Sequence, residues 1–369
     1  MSVFGVRVVY GWIWAPWGPL NVLQFRTLPQ PSHSYAGRTA IVTGANSGLG
    51  LEAARHLARL GAARVILACR DEEKGEGARR DIEGSISASS STPDSGADGD
   101  EASGSGAKTV IEVWPVDLCS FESVRAFCER AERELERLDV LLANAAVLSI
   151  RPGTMVEGYE RQVTTNVIST FLMILALLPV MKRTAAKWNV ESVVTVVSSD
   201  AHGWTPFGEQ DEPQIFEAFR PGGLMNDRYA TTKLLDLLLA RELAARLDAA
   251  AQPNPETNPI IVNAVNPGLC KSNLFQDLVS FGQFVVSVGT FFVGRTIEQG
   301  SRALMAGVEG GRASHGKYVD SGVIGDPSPF VLSEKGAAVQ RKVWEELMGI
   351  LEGIWPGVTA SVTQVPSLL

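Results

Sequence analysis

Residues 39–61 read TAIVTGANSGLGLEAARHLARLG: a short β-branched apolar run, a turn carrying three glycines, and a stretch with apolar residues at helical spacing that closes on Gly61. This pattern predicts a buried strand followed directly by an amphipathic helix. A glycine turn in that position restricts the fold strongly. Gly44 permits the tight turn, Gly48 lets backbone approach a diphosphate, and Gly50 lets the helix lie close on the sheet. The phosphate charge would meet the free N–H groups and the positive dipole end of the helix. The spacing is G-x3-G-x-G rather than the commoner G-x-G-x-x-G, so the strand before the turn and the helix after it carry the inference.

The alternation continues. RVILACR, TVIEVWPVDL, LDVLLANAAV, ESVVTVVSS and IIVNAVNPG are apolar along their whole length, and helical stretches separate them. Strands of that kind belong to a parallel sheet covered on both faces, so the expected fold is α/β: a single doubly wound (Rossmann) parallel sheet with helices on both faces. The second strand ends in LACRD. An NAD site would carry an acidic residue there for the ribose hydroxyls, whereas Arg70 suits a 2′-phosphate, which points to NADP(H). A local ion pair between Arg70 and Asp71 is the competing reading.

Composition narrows the partners. A net charge of −8 over 369 residues argues against nucleic acid, and four scattered cysteines argue against disulfides or a metal site and for a reducing, cytoplasmic setting. Residues 1–36 form an apolar, Trp-rich extension, read either as packed on the body of the protein or as a peripheral membrane contact. The main domain is expected over 37–353. Within it, 85–107 is a Ser/Gly/Asp-rich stretch expected to be a disordered insertion, and 275–294 is an uncharged segment expected to act as a substrate lid. Residues 354–369 are expected to form a loosely held tail.

RYATTK at 228–233 places Tyr229 four residues before Lys233, on one helix face. An ammonium beside a phenol favours the phenolate, so Lys233 is expected to lower the Tyr229 pKa.

With TGANSGLG, DL at 117–118, ANAA at 143–146, Asn166, VVSS at 196–199, YATTK and NPG at 266–268 in this order, the chain resembles the short-chain dehydrogenases/reductases over roughly 37–350, and most of all their retinol-dehydrogenase-like branch and fungal reductases of that type. The resemblance implies that Tyr229 is the general acid or base, that Lys233 holds the nicotinamide ribose, and that Ser199 polarises the substrate oxygen. Alternation along the strand favours Ser199 over Ser198. It also implies that Asn166 holds a water linking Lys233 to solvent. The cofactor would be held by Thr43, Gly44, Asn46, Ser47, Gly48, Leu49 and Gly50 of the glycine turn, by Arg70, Asp117 and Asn144, and by Pro267, Gly268 and Ser272. Asn166 bonding only a neighbouring turn, and Asp117 and Ser272 as helix caps, remain open readings. The chain departs from the family's NNAG at Ala143–Ala146.

The implied activity is NADP(H)-dependent reduction of a ketone or aldehyde on a bulky hydrophobic small molecule of polyketide, terpenoid, steroid or retinoid type. Trp204, Phe207, Ile215, Phe216 and Phe219, in the long segment after Ser199, are read as packed loop or as substrate wall. The rival functions are a non-redox enzyme on the same fold and an NADP(H)-sensing binding protein. The family commonly pairs subunits through helices flanking the sheet, which implies a homodimer unless the extensions here block that face.

Overall fold

The computed structural model describes residues 22–90, 108–148, 153–220, 225–251, 258–271 and 294–363. Its centre is an eight-stranded sheet built from β1 (Thr39–Thr43), β2 (Arg64–Cys69), β3 (Val110–Pro115), β4 (Val140–Ala143), β5 (Ser192–Val197), β6 (Ile260–Asn266), β7 (Tyr318–Asp320) and β8 (Val323–Gly325). The strand order is β8-β7-β6-β5-β4-β1-β2-β3. Every neighbouring pair is parallel except β7 with β8, which form an antiparallel hairpin at one edge. The order reverses between β1 and β4, and the crevice at the carboxyl ends of those strands is where open α/β sheets bind ligands.

Alternation along each strand feeds two cores. On β1, Ile41 enters one, while Ala40 and Val42 enter the other. The first core is closed by α3 (Phe121–Glu134), α4 (Ser169–Trp188), α5 (Met225–Ala250) and α7 (Glu334–Ile354), the second by α1 (Gly48–Arg59), α2 (Glu72–Ser90) and α6 (Ile297–Val308). Ser120 and Ser333 cap α3 and α7 by accepting the backbone N–H of Ser123 and Gly336. The stretch Arg161–Trp188 is long and apolar enough to cross a membrane, but 89% of its apolar window is buried inside the fold, as suits a core helix.

Two expectations change. Residues 85–90, expected to begin a disordered insertion, continue α2, where the Ser85 hydroxyl accepts the Arg55 guanidinium (2.7 Å) and Ile86 packs on the second core; residues 91–107 lie outside the described part. The tail past Pro356 is not loose up to Thr363: Val358 and Val362 are buried, Glu352 accepts the Thr359 hydroxyl (2.7 Å), and Lys182 donates to the Ser361 carbonyl (2.7 Å). The hairpin β7–β8 was not foreseen from pattern. Of the N-terminal extension, Leu28 and Tyr35 are buried, and the Gln24 amide exchanges two hydrogen bonds of 2.8 Å with the backbone of Leu269. Residues 1–21, Ser272 and residues 275–293 of the expected lid lie outside the described residues.

Candidate active site

The glycine turn sits at the reversal of strand order. Gly44 and Gly48 have φ of 65° and 60°, a conformation that favours glycine. A Cβ on Gly50 would come within 2.6 Å of the Asn144 amide and of the Gly44 carbonyl, so side-chain bulk is excluded there by the neighbouring strand end. At Gly48 the same atom would meet nothing within 4 Å. The turn is therefore tight against the protein on one side and open on the other. The Ser47 side chain makes no cap bond to α1, which leaves the first-turn N–H groups facing the open side. A diphosphate fits this cradle.

Thr43 and Asn144 form one wall of the crevice. The Thr43 hydroxyl accepts the backbone N–H of Asn144 and of Ala145 (both 2.9 Å), and the Asn144 amide donates to the Thr43 carbonyl (2.8 Å). These bonds lock the end of β1 to the end of β4. Arg70 is exposed at the end of β2 and, among the described residues, makes no ion pair. Asp71 turns instead to Lys74, accepting its backbone N–H at 3.0 Å and meeting its ammonium at 3.2 Å, so the Arg70–Asp71 pair does not form. Asp117 accepts the Cys119 N–H (2.9 Å) and bends the chain ahead of α3, whose cap is Ser120. Gly268, with φ of 76°, follows Pro267 in a turn gripped by Gln24 and Arg295: a Cβ there would lie 2.5 Å from the Gln24 side-chain oxygen and 2.7 Å from an Arg295 nitrogen.

Across the crevice stands α5. Lys233 is buried; its ammonium donates to the Val197 carbonyl (2.7 Å) and to Asp236 Oδ2 (2.9 Å) and lies 5.7 Å from the centre of the Tyr229 ring. The Ser198 hydroxyl is taken up by the Lys233 carbonyl (2.9 Å), whereas that of Ser199 faces the other way and accepts the Ala201 N–H (3.2 Å). The short turn Asp200–Gly203 packs on α5, and Thr205 is tied to it by bonds of 2.7 Å to Asp227 and Thr231. Asn166 lies in a π-helical turn, Thr164–Ile168, ahead of α4; such turns often mark functional sites. Its amide bonds both backbone groups of Val147 (2.8 and 3.0 Å) and the Thr232 hydroxyl (3.1 Å), so it bridges the β4 loop to the residue before Lys233 rather than bonding its own helix.

Electrostatics correct one expectation. The Tyr229 pKa is raised rather than lowered: burial raises it, Lys233 pulls it down without prevailing, and Asp236 adds to the rise. For Lys233, burial works against the charge, but Asp236 and Tyr229 together outweigh it and the pKa is raised. Burial lifts the Asp236 carboxyl to about 6 despite the opposing pull of Lys233. The two readings of the aromatic loop are also decided, in favour of packing, for four of its five residues. Phe207, Ile215, Phe216 and Phe219 are buried in the first core, and Glu346 of α7 accepts the N–H groups of Ile215 and Phe216 (2.8 and 2.7 Å), so these side chains belong to packing and not to a substrate wall. Trp204 alone of that set is half-buried.

Two further residues stand at the site: His202, close to Ser199 in sequence but set aside as a loop histidine without a visible partner, and Asp236, which the sequence reading missed. His202 Nδ1 lies 2.7 Å from the Ser199 carbonyl and Nε2 lies 2.9 Å from the Ser328 nitrogen. The backbone N–H of Ser328 must donate to Nε2, which fixes the ring as neutral with its proton on Nδ1. No local signal marks this histidine, since Ser328 is far away in the chain. Asp236 did have a signal: an acid three residues after Lys233 shares its helix face.

A turn that can cradle phosphate, set across a crevice from a helix carrying a half-buried phenol and a buried ammonium, fits a dinucleotide-binding site. Known proteins agree. Residues 38–207 match the short chain dehydrogenase family. The chain is 39% identical over 346 residues to the short chain dehydrogenase/reductase dmxR8 of Cryptosporiopsis sp. (strain 8999), covering 91% of this chain and 97% of that one. It is 36% identical over 342 residues to the short-chain dehydrogenase anuD of Penicillium roqueforti (strain FM164), covering 92% and 84%. Among solved structures, an uncharacterized protein from Mycobacterium paratuberculosis superposes with a TM-score of 0.58 at 27% identity, over 87% of this chain and 96% of that one. The protein belongs to the short-chain dehydrogenase family, whose members are NAD(P)-dependent oxidoreductases.

Proposed function

We propose that the protein reduces a ketone or aldehyde on a bulky apolar molecule to the alcohol, with NADPH as the reductant. The observation that carries this reading is the placement of Tyr229 and Lys233 one turn apart on α5, with the Lys233 ammonium 5.7 Å from the centre of the Tyr229 ring. Tyr229 would donate its phenolic proton to the carbonyl oxygen as hydride arrives at the carbon. Ser199 would hold the carbonyl oxygen while Tyr229 protonates it. Bound in the crevice, the dinucleotide would supply the hydride. Lys233 has one ammonium proton beyond those given to Val197 and Asp236, enough to hold a ribose hydroxyl. The Arg70 guanidinium, exposed and without an ion pair among the described residues, favours a 2′-phosphate and hence NADPH. Support for an apolar substrate comes from Trp204 beside Ser199 and from the uncharged sequence of residues 278–294.

The test is NADPH consumption against a panel of hydrophobic ketones and aldehydes, with NADP⁺-driven oxidation of the matching alcohols beside it. Turnover that disappears in Tyr229→Phe is expected. Turnover of small polar sugars only would overturn the substrate class, and full activity in Tyr229→Phe would overturn the assignment of the proton donor.

A further inference from the structure

We propose that Gln24 and Arg295 are positioning residues: together they clamp the turn Pro267–Leu269 and so shape the end of the crevice that receives the nicotinamide ring. This rests on the reading of the crevice as a dinucleotide site.

The sheet gives the crevice two ends. From the glycine turn after β1, Arg70 stands to one side at the end of β2. Lys233 stands to the other, bonded to the Val197 carbonyl at the end of β5 (2.7 Å). A dinucleotide with its diphosphate on the glycine turn and its adenosine toward Arg70 directs its other half to Lys233. Val197 is in register with Val265 of β6, and the Ser198 N–H donates to the Val265 carbonyl (2.8 Å). Pro267 follows two residues later, so the turn after β6 lies at the nicotinamide end.

That turn is held by a side chain 245 residues away in the chain. The Gln24 amide takes both backbone groups of Leu269 (2.8 Å each), as a neighbouring strand would. Arg295 donates from Nη1 to the Pro267 carbonyl (2.8 Å) and the Ser321 hydroxyl (3.0 Å), and from Nη2 to the Leu23 carbonyl. Its own backbone accepts the Lys271 N–H (3.0 Å) and donates to the Leu269 carbonyl (2.8 Å). Both side chains are buried. The segment that carries Gln24 is fastened in turn, since Arg302 of α6 donates to the Leu28 carbonyl (2.6 Å) and Arg59 of α1 to that of Pro31 (3.2 Å).

The clamp presses on the turn. A Cβ on Gly268 would collide with both Gln24 and Arg295, so the glycine is what allows them to close on it. From below, Asn266 accepts the Gly268 N–H (3.0 Å) and donates to Asp320 (2.9 Å). The turn is thus fixed from two sides by side chains rather than by its own sequence. A binding surface needs this kind of support, because a shift of a fraction of an ångström there loses alignment with the ligand.

The experiment compares each dinucleotide with the fragment that lacks only its nicotinamide ring. Calorimetric titration of the full chain uses NADPH with 2′-phospho-ADP-ribose, and NADH with ADP-ribose. Gln24→Ala removes both bonds to Leu269. In this variant the dinucleotide that the wild type binds is expected to lose about tenfold in affinity, and its fragment less than about twofold. Arg295→Lys has a single ammonium that cannot serve Pro267, Ser321 and Leu23 together, and is expected to show the same split. Either variant suffices where it keeps the native circular dichroism spectrum. Equal losses for dinucleotide and fragment, or no loss for either, overturn the proposal and leave the clamp as a support of the fold alone. A wild type that binds neither dinucleotide removes the cofactor reading itself, so the two failures are distinguishable.

Discussion

At the amino-terminal edge of the sheet Arg137 meets Asp139; at the carboxyl edge Lys233 meets Asp236. Both carboxylates are fully buried, yet they are built differently. Asp139 accepts two bonds from Arg137 on Oδ1 (3.0 and 2.8 Å), and its Oδ2 takes Arg137 again (2.8 Å) together with the Thr39 N–H (2.9 Å). Trp188 stacks under the guanidinium at 5.2 Å. Every lone pair that matters has a donor, and the pair staples the entry of β4 to the entry of β1. Among the described residues, Asp236 accepts from the Lys233 ammonium on Oδ2 and has no hydrogen-bond donor on Oδ1. A buried ionic group is economical only when fully satisfied. The first pair joins two strand entries, and the second joins Lys233 to its own helix beside the crevice.

The sharpest way to separate the two ends is to remove the phenol beside the second pair. Tyr229→Phe is expected to lower turnover roughly a thousandfold while leaving cofactor affinity and the unfolding midpoint near wild type, because only proton transfer is lost. The isosteric change at each carboxylate comes next. Asp139→Asn forces an amide N–H₂ against the Arg137 or Thr39 donors and is expected to cost about 3 kcal/mol of stability. Asp236→Asn can keep its oxygen on Lys233 and place the amide nitrogen at the Oδ1 position, and is expected to cost about 1 kcal/mol. Urea unfolding of both variants checks the order. Equal costs would break the distinction drawn between the pairs.

How much of this was legible follows from the residues. β1 to β6 were readable because each is apolar along its length and bounded by glycine, proline or polar residues. β7 and β8 have three residues each, too few to show a period. The helical extension Ser85–Ser90 has almost no large apolar side chain, so composition pointed to disorder; the order comes from Arg55, which reaches Asp81 and Ser85 from a neighbouring helix. At the site, the glycine turn and the Tyr229–Lys233 spacing were visible because each is local. The direction of the Tyr229 shift was not, since it depends on burial and on an aspartate hidden in the leucine run LLDLLL. Phe207, Phe216 and Phe219 could not be divided between core and crevice before α7 was seen to pack on them.

His202 offers a smaller test at the same edge. Burial lowers its pKa from 6.5 to about 4, in a place where the ring serves Ser199 and Ser328 as a neutral group. The unfolded chain takes up a proton below 6.5 that the folded one refuses, so the stability contributed above pH 6.5 is lost as pH falls toward 4. The full loss is about 3 kcal/mol. Unfolding measured across that window is expected to show the slope in the wild type and a flatter one in His202→Asn. A wild-type curve without the slope would mean that the ring is charged, and would undo the tautomer assignment.

The smallest effect concerns Arg70, the opposite of Arg137 in every respect. Arg137 is held by carboxylate oxygens and an indole face, so its charge is committed to the fold. Arg70 is exposed and has no ion pair among the described residues, so removing it disturbs no packing. Arg70→Ser is therefore expected to leave the unfolding midpoint unchanged and to weaken NADPH binding about tenfold, equivalent to ~1.4 kcal/mol, with NADH affinity little altered. Exposure limits the size of the effect, and salt should shrink it further because the guanidinium and the 2′-phosphate meet in water. Calorimetric titration with both dinucleotides at low and high salt checks each part. If NADH weakened as much as NADPH, Arg70 would be holding something common to both cofactors, and the preference for NADPH would have to be sought in another residue of the crevice.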